Sequence, residues 1–187
     1  MTAPDGRLTL GPSKAHLMIH TGRQGSAAKV GHDLTIEVAR WSAEVDVPGG
    51  DLAAATVTAW VDLESLAIRD GTGGAKRLTD SDRREIEATA RKLLTERGPA
   101  VATFSSTRAK PAGRGGTIDG RVSFHGVTDA VHLQVTERGA GRYVASTTVR
   151  QSTFGIKPYS AFMGALKVRD EVTVEISFDL AEAGAGG

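Results

Sequence analysis

Alternation of apolar and polar residues, repeated along most of the chain, is the feature that most restricts its fold. The clearest stretch is Ile118 to Val131, reading IDGRVSFHGVTDAV. A period of two sends successive side chains to opposite faces of a strand. One row holds Ile118, Val122 and Phe124, with Gly120 as a gap, while Thr117, Asp119, Arg121 and Ser123 form the other. The tight turn His125-Gly126-Val127-Thr128 leads into a second strand, so the segment predicts a hairpin with one apolar face. From Val172 to Leu180, VTVEISFDL puts five apolar side chains on one face. Val101 to Thr107 and Val131 to Thr136 alternate in the same way, and further runs lie near Leu17, Leu34 and Tyr143. Between Thr56 and Leu63, Trp60 stands in the polar row, which predicts a strand covered on both sides. About eight such runs, with turn signals between most of them, predict an antiparallel sandwich or barrel. The fold class is mainly all-β.

One segment breaks the alternation. From Thr79 to Arg97 the apolar residues Ile86, Ala90, Leu93 and Leu94 recur at helical spacing, with Thr79, Ser81 and Asp82 as N-cap candidates and Gly98-Pro99 as a stop. The polar face of this amphipathic helix, Arg83, Arg84, Glu87, Arg91 and Lys92, reads as a solvated surface. Just before it, Ile68 to Arg77 (IRDGTGGAKR) lacks the Gly-Lys-Ser/Thr spacing of a phosphate cradle and reads as a mobile surface loop.

Composition narrows the function classes. A chain of 187 residues without a linker-like break predicts one domain, about 7–180, with flexible tails at 1–6 and 181–187. The 23 basic and 22 acidic residues nearly cancel, to a formal charge of +1, so the balance favours neither nucleic acid nor an anionic membrane. The absence of cysteine excludes disulfides, thiolate metal sites and a cysteine nucleophile. Met1 to Pro12 holds no apolar signal region and no run reaches ~18 apolar residues, so the expectation is a cytoplasmic protein without integral membrane contact.

The histidines do not assemble into an obvious reactive site. His16 and His20 share a strand face but lie ~13 Å apart along it, too far to hold one ion. His32 and Asp33 are adjacent, and adjacent strand residues point to opposite faces. His125 sits at the hairpin turn, where it is expected to bond a backbone carbonyl, and no Gly-x-Ser-x-Gly elbow offers it a nucleophile. The expectation is a protein that is not an enzyme, with no catalytic residue, no metal and no cofactor.

Gly31-His32-Asp33-Leu34, the run from Pro99 through Phe104 to Thr107, His125-Gly126-Val127-Thr128, Gln151 through Phe154-Gly155-Ile156 and the closing Val-rich strand together resemble the YceI-like family in order and spacing. The resemblance covers about Arg7 to Leu180. It implies an eight-stranded antiparallel, lipocalin-like barrel, here with the 79–97 helix inserted, whose cavity holds a polyisoprenoid or similar amphiphilic lipid. The chain departs from the commoner family pattern in the middle, where glycines follow Arg69-Asp70 and the helix replaces a Phe-Phe-Asp element. In this it resembles a cytoplasmic branch of the family.

On that reading the ligand is an isoprenoid quinone, a polyprenol or a fatty amphiphile. The small inward residues Ala102, Gly120, Ala145 and Thr147, in rows with Phe104, Val122, Phe124 and Val149, leave room for it. Candidate contacts are Leu17 and Ile19, Leu34 and Ile36, Val57, Phe104, and Val122 and Phe124. The Gly- and Pro-punctuated apolar segment Phe154 to Leu166 adds Phe154, Tyr159, Phe162 and Met163, as a cavity entrance, an end plug or a subunit contact. His32 and Arg69 are the candidate head-group contacts. The expected function is a non-catalytic lipid carrier. Two alternatives stand beside it: an interaction module forming a homodimer through 154–166, and a lipid-acting enzyme with His32 and Asp33, or His125, as base.

Overall fold

The computed structural model describes residues 6–139 and 141–179. Its strands are β1 (Gly6–Leu10), β2 (Ala15–His20), β3 (Arg23–Gln24), β4 (Asp33–Val47), β5 (Thr56–Thr72), β6 (Val101–Ala112), β7 (Gly115–Phe124), β8 (Val127–Glu137), β9 (Arg142–Arg150), β10 (Ser160–Ala161), β11 (Leu166–Val168) and β12 (Glu171–Asp179). The helix α1 (Asp80–Thr95) falls between β5 and β6. Eight strands pair in the ring β4-β2-β12-β9-β8-β7-β6-β5, and β5 pairs back onto β4, so the antiparallel barrel is closed. β1 prolongs the β2 edge by pairing with the far half of β4, and β10, β11 and β3 form a small separate sheet. Gly6, expected in a tail, pairs with Val47. The rest of the expected tails and Leu180 lie outside the described residues.

The hairpin read from Ile118 to Val131 is β7 and β8, joined by His125 and Gly126 with φ of 50° and 78°. Positive φ at both central residues is what a two-residue turn needs to follow the right-handed twist of its strands. The His125 ring lies against Phe124, centroids 3.8 Å apart. Neither of its nitrogens has a hydrogen-bond partner, contrary to the expected carbonyl bond.

Two long strands carry most of the closure, and both change phase midway. In β4 the inward residues are Leu34, Ile36 and Val38, then Trp41, Ala43, Val45 and Val47; in β5 they are Val57, Ala59, Val61 and Leu63, then Leu66 and Ile68. The register shift between Val38 and Arg40 accounts for both changes. A bulge leaves backbone groups off the ladder, and here Ser65 accepts them. Its buried Oγ takes the N–H of Ala39 (3.1 Å) and of Arg40 (2.8 Å) and donates to the Asp62 carbonyl (2.6 Å).

Past Asp62, β5 outruns β6, whose first residue is Val101. α1 takes the place of the missing neighbour. Glu87 accepts the Ile68 N–H (2.8 Å), Arg83 donates to the carbonyls of Ile68 (3.1 Å) and Arg69 (2.7 Å), and Arg91 donates to those of Glu64 (2.9 Å) and Leu66 (2.6 Å). Residues four apart share one helix face, so Arg83, Glu87 and Arg91 form a stripe that seals a strand edge. This corrects the solvated reading for Arg83, Glu87 and Arg91, while Arg84 and Lys92 are exposed. The adjacent apolar stripe, Ile86, Ala90 and Leu94, packs on Ile36, Leu66 and Ile68. Thr79 caps the helix in a reciprocal box with Asp82.

Two other expectations are corrected. β5 continues through Thr72, paired to Asp33, so the first half of the supposed mobile loop at 68–77 is strand. Trp60 points outward and is 43% exposed, so β5 is not covered on both sides there.

Replacing Ser65 with alanine strands two backbone donors at the bulge. The Ser65→Ala variant is expected to lose about 2 kcal/mol of stability, read as a lower urea midpoint with an unchanged m-value.

Candidate functional site

The inward rows do not meet. They line a cavity of about 1530 Å³ that runs the length of the barrel. Its middle is built from Leu17 and Ile19 of β2, Ala43 and Val45 of β4, Val57 and Ala59 of β5, Ala102 and Phe104 of β6, Val122 of β7, Leu133 of β8, Ala145 and Thr147 of β9, and Val174 and Ile176 of β12. The Gly120 gap is already used: a Cβ there would overlap the Phe104 ring, which lies across it. The free space comes instead from Ala43, Ala59, Ala102, Ala145 and Thr147, whose short side chains face one another around the ring.

Each end of the cavity has its own polar groups. At the upper end, where β5 meets α1, the Arg23 guanidinium donates to the Gly31 carbonyl (2.6 Å), and the Arg23 backbone N–H donates to Asp33 Oδ1 (2.8 Å). The His32 ring lies on Gly74, where any side chain would collide with it, and its Nε2 lies 2.6 Å from the Lys76 carbonyl. Val30, Tyr159 and Phe162 line this end and are also exposed, so the cavity opens to solvent there. At the lower end Glu137 and Tyr143 face each other across β8 and β9. The Glu137 side chain is only 7% exposed; its Oε1 accepts the Gly141 N–H (3.2 Å), and Arg114 Nη1 lies 3.5 Å from Oε2. Tyr143 stacks on Phe178, centroids 5.8 Å apart. Burial, with the Glu137 charge adding to it, pushes the Tyr143 phenol above its usual range.

A family model described as the YceI-like domain matches residues 10–180, nearly the whole chain. The chain belongs to the YceI-like family. Members generally bind isoprenoids or related lipids and are typically binding proteins without catalysis. The crystal structure of Burkholderia cenocepacia BcnA is similar to this barrel with a TM-score of 0.62 at 16% identity, covering 90% of this chain and 97% of that one. The Campylobacter jejuni YceI protein gives a TM-score of 0.55 at 12% identity, covering 77% and 82%. At these identities the likeness is one of fold. No curated protein matches the chain in sequence.

In this YceI-like barrel, Leu17, Ile19, Leu34, Ile36, Val57, Phe104, Val122, Phe124, Phe154, Tyr159 and Phe162 all line the cavity, and His32 lies at its upper end. Two of the candidate contacts fall elsewhere. Met163 stands fully exposed beyond the rim. Arg69 lies on the outer face, ion-paired with Glu37, because β5 bulges there between the pairs Thr35–Asp70 and Ile36–Ile68. Glu37 also accepts from His16 Nδ1 (3.0 Å); this bond, then Arg69, outweighs desolvation and holds the carboxyl below its usual range. His32 and Asp33 keep different partners, and His125 is not part of the cavity wall. Glu137 and Tyr143 did not figure among the candidate contacts. Their signal was present: Glu137 continues the apolar row Val131, Leu133, Val135 and ends it with a charge.

The upper wall depends on an outlying carboxylate. Asp170 accepts from Ser152 Oγ (2.6 Å) and the Ser152 N–H (2.8 Å), fixing the turn that buries Phe154. The Ser152 hydroxyl bond, opposed by desolvation and helped by the backbone bond, holds the Asp170 carboxyl below its ordinary value of 3.8. A depressed folded-state pKa stabilises above the unfolded value, and that contribution is lost as pH falls through the folded one. The Asp170→Asn variant should therefore show a shallower loss of urea midpoint below about pH 4 than the parent.

Proposed function

We propose that this YceI-like protein is a non-catalytic carrier that holds one long-chain isoprenoid or similar amphiphilic lipid along the barrel axis. The observation that carries the reading is the size of the apolar cavity. At about 24 cal/mol per Å³ of void, a dry space of 1530 Å³ would cost tens of kcal/mol. That exceeds the ~5–15 kcal/mol by which a domain is stable. The lumen is therefore occupied, by water or by a ligand, and walls of Leu, Ile, Val, Ala and Phe offer water few hydrogen bonds.

An apolar chain fits this surface better. Each CH2 moved from water into the lumen gains about 0.8 kcal/mol, so a twenty-carbon tail gains roughly 16 kcal/mol, against association costs of ~4–15 kcal/mol. Tight binding then needs no specific polar contact, which suits a cavity whose middle has none beyond Thr147. The polar head belongs at the upper end, beside His32 and Arg23, where the cavity opens through Tyr159 and Phe162.

Thr147 separates this reading from a water-filled barrel. Its side chain faces the lumen opposite Val174, whereas Thr148 is exposed on the outer face. Thr147→Phe should weaken binding of a labelled isoprenoid quinone at least about tenfold, a loss of roughly 1.4 kcal/mol, with little change in Tm; Thr148→Phe should leave binding unchanged. Equal affinity in parent and Thr147→Phe would overturn the proposal.

A further inference from the structure

The upper rim carries a concentration of exposed apolar side chains. Of the six large hydrophobic residues most exposed among the described residues, four lie there: Val30 at 50%, Tyr159 at 43%, Phe162 at 67% and Met163 at 107%. They stand on one unit. β11 pairs with both β3 and β10, the Ala27 N–H donates to the Ala165 carbonyl (2.8 Å), and the Arg169 N–H donates to the Gly22 carbonyl (2.7 Å). Phe162 and Met163 are consecutive residues with φ of 51° and 53°, a left-handed conformation that side chains rarely adopt. It turns Met163 wholly into solvent, where it contributes nothing to the folded core.

The exposed charge on this unit is mostly positive. Residues 23–31 and 154–169, which make up this unit, contain Arg23, Lys29, Lys157, Lys167 and Arg169; the carboxylates at its edges are Asp33, which pairs with Arg23, and Asp170, which accepts from Ser152. All the cations but Arg23 are exposed. Across the opening, the start of α1 is mixed, with Lys76 and Arg77 beside Asp82 and Glu85. The overall charge of +1 thus hides a local cationic rim.

We propose that this rim docks on the surface of an anionic phospholipid bilayer, with Phe162 and Met163 entering the headgroup region and the surrounding cations facing lipid phosphates. Apolar tips flanked by lysine and arginine are the chemistry that such a surface rewards. A second copy of the chain fits less well, because a two-fold contact through this patch would set its four exposed cations against the same four. Docking needs no cavity ligand and stands whether or not the lumen carries a lipid. If it does, the docked orientation aims the opening at the membrane. Among the described residues no helix is long and apolar enough to cross a membrane.

The test is flotation of the purified protein with vesicles of phosphatidylcholine alone or mixed with phosphatidylglycerol, at low and high salt, with light scattering in parallel. The protein should float with the anionic vesicles at low salt, remain behind with the neutral ones, and be a monomer in solution. Met163→Glu and Lys157→Glu, neither of which lines the cavity, should each reduce flotation about tenfold while Tm and quinone binding stay unchanged. No flotation with anionic vesicles, flotation unaffected by both variants, or a dimer that Met163→Glu converts to monomers would each overturn the proposal.

Discussion

β4 and β5 pair with each other from Asp33–Thr72 at one end to Asp46–Thr56 at the other. These strands of 15 and 17 residues close the barrel, and no strand of constant phase that long could keep one face inward around so sharp a curve. The bulge at Val38 to Arg40 resets the phase of both at once, and Ser65 makes the reset tolerable by accepting the two amides it frees. Above the bulge β5 has lost β6 as a neighbour, and the α1 stripe of Arg83, Glu87 and Arg91 bonds the exposed edge. The barrel is thus extended upward by a helix using its side chains where a strand would use its backbone. That arrangement places the apolar stripe of α1 over the opening and shapes the upper end.

A closed ring of eight strands can be filled by its own side chains. Here it is not, because alanines and a threonine recur at mid-height on facing strands. The one place where a glycine suggested further space, Gly120, is occupied by the Phe104 ring. What results is an apolar tube with distinct poles. The upper one carries Arg23, His32 and Lys76, with Asp82 and Glu85 across the opening. The lower one holds a buried Glu137 beside Tyr143, with Arg114 above it.

Much of this was legible in the sequence. The alternation of β7 and β12 and of the middle of β8 is strong enough for period and face to be read directly, and the Thr79 cap and Gly98-Pro99 stop bracket α1 to within two residues. The family resemblance, carried by short motifs around strands, implied the closed barrel that periodicity alone left open against a sandwich. Other features were hidden for identifiable reasons. A bulge interrupts the period of two, so Arg69, read as a head-group contact, turns to the outer face and pairs with Glu37. The sealing stripe of α1 has the composition of an ordinary solvated face, and only the missing strand beside β5 gives it a task. Met163 looks like a core or cavity residue by type, yet its positive φ throws it into solvent. Trp60, equally apolar, is simply exposed.

Native mass spectrometry of protein purified without detergent, paired with organic extraction, reads whether the lumen holds a lipid. A lipid carrier is expected to show a bound mass that extraction identifies as an isoprenoid or fatty amphiphile, lost on partial denaturation. A bare chain mass that remains bare after incubation with isoprenoid quinones and polyprenols would contradict that reading.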